Sequence, residues 1–144
     1  MGLGFVGAKA HWSYSGFNNF RRKLAMEIGI CLDFMDGFWT PGGGRYQGNF
    51  GIAIENVGKN IIDKDFFWLP NKPLSWNKIK DPIVDLLNCS DCEGSLSPSQ
   101  CKKIAPRLKE LVKVWSDDYD KIQALLLAEG MEECSKNGKT LEFC

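Results

Sequence analysis

The stretch that constrains this chain most is four residues long. Ser97-Pro98-Ser99-Gln100 reads as a helix start. The Ser hydroxyl can accept from the N3 amide, Pro at N1 gives up an N–H the helix does not need, and Gln at N3 can reach back to Ser97. After it, Cys101, Ile104, Ala105, Leu108, Leu111, Val112 and Trp115 recur at steps of three and four, which places them on one helix face. Pro106 falls inside that run and should bend it. A second long helix is expected in SDDYDKIQALLLAEGMEECSKNG, with acids in its first turn, where the helix dipole favours them, and Gly138 as its stop. KTLEF then reads as a short strand.

Upstream, the spacing predicts a helix over 16–31 with Ser15 as N-cap. Phe17, Phe20, Leu24, Ile28 and Cys31 form its apolar stripe, and Arg21, Arg22 and Lys23 are expected mostly off it. Ser75 should cap WNKIKDPIVDLL, with Trp76, Ile79, Ile83 and Leu86 on one face and Pro82 kinking or restarting the helix. Residues 37–75 differ in character. GFWTPGGGRYQGNFG is loop chemistry, FGIAIENV alternates like a strand, and NIIDKDFFWLP reads as a second strand or an extended edge. The expected fold class is α+β, mostly α: about four helices with a small antiparallel sheet, in a single domain over 1–144.

With 144 residues the chain is long enough to bury a proper core. Lys+Arg and Asp+Glu are 18 each, so no global field draws the chain to nucleic acid or to an acidic membrane. The start MGLGFVGAKAHW lacks the basic and apolar regions of a signal peptide, and Val6 stands where a myristoylation signal has Ser or Thr. No apolar stretch approaches the roughly 20 residues of a membrane helix. The expectation is a cytoplasmic protein with its six cysteines reduced.

NCSDCEGSLSPSQC, residues 88–101, admits three readings. With Gly94 at the sixth position it resembles an EF-hand loop, and the 76–115 segment becomes a degenerate helix-loop-helix. Cys89 and Gln100 then stand where carboxylates belong, so calcium is disfavoured. As a zinc site, Cys89-x2-Cys92 has knuckle spacing and Cys101 follows, with His11, Cys134 or Asp91 as a fourth ligand. The plainest reading is a capped polar turn with partly buried thiols, which behave as small hydrophobes.

His11 is the only histidine, so any catalysis that needs imidazole must use it. Together with Trp12, Tyr14, Arg21 and Arg22 it could line a shallow pocket for a nucleotide or another anionic ring, by stacking and charge. TPGGGRYQG lacks the ending of a phosphate loop and reads as a hairpin or lid. Phe38, Trp39, Arg45 and Tyr46 would make that lid adhesive to a ligand or partner.

AHWSYSGF, DPIVDLLNCSDCEGSLSPSQC and ALLLAEGM together resemble a family of small, uncharacterised bacterial proteins. Such relatives often carry His at the position of Cys89, which fits zinc better than calcium. The resemblance implies no activity and no catalytic residues. The first functional expectation is a non-enzymatic binding or regulatory domain for a protein or small molecule, with a homodimer through an aromatic patch also admitted. The alternatives are an anion-binding protein or enzyme using His11 with Arg21 and Arg22, and a zinc-stabilised module at 89–101.

Overall fold

The computed structural model describes residues 2–30, 32, 35–38, 75–89 and 94–144. The segments expected as strands within 39–74 lie outside the described residues, as do Arg45 and Cys92. Among the described residues a sheet forms from residues 2–13, the last few residues and a short strand at 94–96. β1 (Gly2–Val6) and β2 (Ala8–Ser13) form an antiparallel hairpin, β4 (Leu141–Phe143) pairs with β1, and β3 (Gly94–Leu96) pairs with β4, giving the order β2-β1-β4-β3. β4 is the strand expected from KTLEF.

The period of two decides which face is buried. Leu3, Phe5, Ala10, Trp12, Leu96, Leu141 and Phe143 point inward, and Lys9, His11 and Glu142 are exposed. The inward aromatics meet those of α1 (Tyr14–Glu27). Trp12 stacks on Phe20 with ring centroids 4.5 Å apart, and Phe5 meets Phe143 edge-on at 4.9 Å. Burying rings of this size contributes about 1.5–3 kcal/mol each.

α1 differs from expectation at both ends. Ser13, not Ser15, is the N-cap: its extended backbone ends β2, and its hydroxyl accepts from the Gly16 amide at 3.0 Å. The helix stops at Glu27 because Gly29 turns the chain at φ 81°, although Ile28 and Ile30 remain buried. Arg21 and Arg22 are buried as well, not off the apolar face. The spacing could have shown this for Arg21, which stands four residues after Phe17 and three before Leu24.

The continuous helix expected over 76–87 is divided. A 3-10 turn covers Trp76–Lys78 without a side-chain cap from Ser75, and α2 is a single turn, Val84–Leu87. Pro82 restarts the chain as anticipated. Asp81 supports the restart, accepting from the Ile83 amide at 3.0 Å. The same carboxylate takes Arg107 in a forked pair, with Nη2 to Oδ2 at 2.7 Å and Nε to Oδ1 at 3.1 Å.

α3 (Pro98–Val112) opens on the full capping box: Ser97 Oγ accepts from Gln100 N at 3.2 Å and Gln100 Oε1 from Ser97 N at 2.8 Å. α4 (Tyr119–Asn137) is capped by Asp118 and stopped by Gly138 at φ 65°. The two helices pack antiparallel, with Ile104, Leu108 and Leu111 of α3 and Leu127 and Met131 of α4 in the core. α4 also crosses the β1–β2 turn at Gly130. A Cβ there would overlap that of Ala8 and come to 2.6 Å of the Gly7 carbonyl oxygen, so only glycine permits this approach. No helix among the described residues is long and apolar enough to cross a membrane.

Candidate functional site

The pocket expected around His11 separates into unrelated positions. Trp12 is 1% exposed and donates its Nε1–H to Asp120 Oδ1 at 3.0 Å. His11, its neighbour on β2, points the opposite way, and its ring lies over Gly2, where a Cβ would come to 2.7 Å of Nε2. The His11 backbone is fully used by α4: its N–H donates to Gln123 Oε1 at 2.9 Å, and its carbonyl accepts from the Tyr119 hydroxyl at 2.5 Å. Among the described residues β2 lies at the edge of the sheet, and these two bonds occupy groups that an edge strand would otherwise offer to another chain. Tyr14, at the start of α1, is half-buried.

Arg21 is 2% exposed and serves the scaffold. Its guanidinium donates to the carbonyls of Leu87, the last residue of α2, and of Cys89 just beyond it, and to Asn18 Oδ1 at 3.0 Å. It also lies over the rings of Phe17 and Phe38, at 5.3 and 4.9 Å. A cation at helix C-terminal carbonyls is favoured by the dipole and by direct bonding. Arg22 is 8% exposed. Among the described residues, His11 is thus on the outer face of the sheet and Arg21 inside the protein, so the two do not face one another.

The described thiols form no single cluster, although Cys101 and Cys134 lie close enough to interact. Cys89 donates to the Asp85 carbonyl at 3.2 Å. Burial pushes its pKa up to about 11, against the pull of Arg21 and with a push from Asp85. Cys101 is fully buried and aimed at the Leu96 carbonyl, and burial, then Cys134, pushes it up to about 11. Metal binding needs thiolates, which these surroundings oppose. Among the described residues no three His, Cys, Asp or Glu side chains group as metal ligands. The calcium reading meets a separate obstacle: Ser97 and Gln100, its ninth and twelfth positions, are both engaged in the capping box.

Two surface features emerge that the sequence reading did not select. The first turn of α4 is a polar clasp. Asp120 bonds Trp12 through one oxygen and Lys23 Nζ through the other, at 2.8 Å, and Lys23 lies 4.5 Å from the Trp115 ring. Beside it, Tyr119, Ile122 and Leu125 are 55%, 51% and 40% exposed. The signal was present in the run Ala124–Ala128. Five consecutive apolar residues on a helix cannot all face one core, and Leu125 is the one left outside. No family model, no curated protein and no solved structure matches this chain.

Proposed function

We propose that this protein is a non-enzymatic binding domain that takes a protein partner on the outer face of α4. The observation that carries the reading is the row Tyr119, Ile122, Leu125, each at least 40% exposed. Residues three apart are neighbours on a helix surface, so the row is one patch. Covering each side chain would contribute about 1.5–3 kcal/mol at most, and aromatic residues are enriched at such interfaces. The patch is preorganised, because the Tyr119 hydroxyl and Gln123 are bonded to β2 and Asp118 and Asp120 hold the first turn. Little ordering is left to oppose association. The alternative of an anion site or enzyme built on His11, Arg21 and Arg22 has less support, since Arg21 is engaged by the α2 carbonyls.

A photo-reactive phenylalanine at position 122 tests this in the native host. Irradiation should give one discrete adduct, and Leu125→Asp should remove it while the melting temperature stays within a degree or two. An adduct at twice the chain mass would identify a second copy as the partner. Absence of any adduct would sink the proposal. So would a fall in melting temperature on Ile122→Asp as large as that of a core substitution, since the patch would then be buried.

A further inference from the structure

Along α3, Lys102, Pro106 and Lys109 share one face, and this face meets the C-terminal half of α4 in a groove of about 350 Å3. Ala105 and Pro106 form an apolar floor. Lys102 and Lys109 rise from α3, and Glu132, Ser135 and Lys136 from α4. Glu132 pairs with Lys109 and neutralises it. Lys102 and Lys136 have no ion-pair partner among the described residues, so the groove holds an excess of two positive charges in a chain whose total is zero. Pro106 has no N–H, so the carbonyl of Lys102 loses its usual helical donor.

We propose that this groove binds a small phosphorylated molecule. Its phosphate would sit between Lys102, Lys136 and the Ser135 hydroxyl, and its body would lie on Ala105 and Pro106. Phosphate is favoured over carboxylate by the donor set. Ammonium groups act as point charges that can surround a tetrahedral anion from two helices, and the groove has no planar arginine fork of the kind that suits a carboxylate. A volume of this size accepts a small ligand with an apolar side. The groove lies two turns further along α4 than the Tyr119–Leu125 patch, so either site can fail without the other.

The experiment is a 15N–1H NMR titration with inorganic phosphate and then glycerol 3-phosphate, at constant ionic strength. Both should give saturable shifts confined to 102–109 and 132–136, with glycerol 3-phosphate the tighter through its hydroxyls and carbon body. Lys102→Ala with Lys136→Ala should weaken binding about tenfold or more, as expected for two charge-assisted bonds. Lys113→Ala, at the C-cap of α3 and outside the groove, should leave it unchanged. Glu132→Gln should tighten it about threefold by releasing Lys109. Shifts that never saturate, that spread over every surface lysine, or that persist in the double variant would overturn the assignment.

Discussion

The α3–α4 pair and the β1–β2 hairpin both bury one face in the core, yet they are held by different means. The pair is joined by interlocking aliphatic side chains, and each helix carries its own start signal within three residues of its first turn. The hairpin depends on distant partners. Trp12 reaches Asp120, 108 residues away, and the close approach of its turn depends on the missing side chain of Gly130. One region is encoded locally. The other is encoded by complementarity between the two ends of the chain, so truncating its central side chain should cost more in total.

Trp12→Ala is the strongest test of that contrast. It removes the ring that stacks on Phe20 and leaves an oxygen of Asp120 without its donor. The expected loss is about 4 kcal/mol, at the upper part of the range for large-to-small core changes. Leu108→Ala in the helix pair should cost about 3 kcal/mol, since only a cavity is made. Chemical denaturation of both variants decides the point, and equal losses would remove the distinction. Gly130→Ala follows, and its sign is the informative part. In an ordinary helix interior this change stabilises by about 1 kcal/mol. Here the added methyl meets Ala8 and the Gly7 carbonyl, so we expect a loss of about 2 kcal/mol from overpacking. A gain in melting temperature would show that the turn can move away.

The same contrast explains what could be read from the sequence. The capping box, the Gly138 stop, the acids before α4 and the α3 stripe from Cys101 to Val112 are signals whose physical cause lies within a turn or two, and the structure has each of them; Trp115, expected to extend the stripe, lies past the end of α3 and is half-buried. The mostly α, α+β class followed from these. The hairpin was missed although Leu3, Phe5, Ala10 and Trp12 alternate, because short runs interrupted by glycine are weak local strands that long-range pairing completes. Arg21 was misplaced for a related reason. Its charge argued for solvent, and the carbonyls that make burial tolerable arrive from Leu87 and Cys89. For the expected ligand residues, strand alternation alone should have separated His11 from Trp12.

Cys101 probes the helix pair through pH. Its thiol ordinarily titrates near 9 and is pushed up to about 11 in the folded protein, so the folded state holds the proton more tightly than the unfolded one. Stability from this residue is complete below about pH 9 and is lost as pH rises toward 11. The loss should approach roughly 2 kcal/mol. Comparing the native protein with Cys101→Ala by urea denaturation across that window isolates it from other titrations. The variant should show the shallower decline, and parallel curves would mean that the thiolate finds water.

The smallest effect comes from the most legible residue. Ser97→Ala removes the hydroxyl that accepts from Gln100 N, and it frees the Gln100 side chain from half of its reciprocal arrangement. The expected cost is about 1 kcal/mol. That cost should be local, because Pro98 still opens the helix and the Cys101–Val112 stripe still meets α4. Hydrogen exchange should therefore quicken in the first turn of α3 and stay unchanged in β1 and β2. Acceleration in the hairpin would mean that the cap also supports β3, which ends one residue before it at Leu96, and through β3 the whole sheet. The locally encoded and the distantly encoded regions would then be a single cooperative unit.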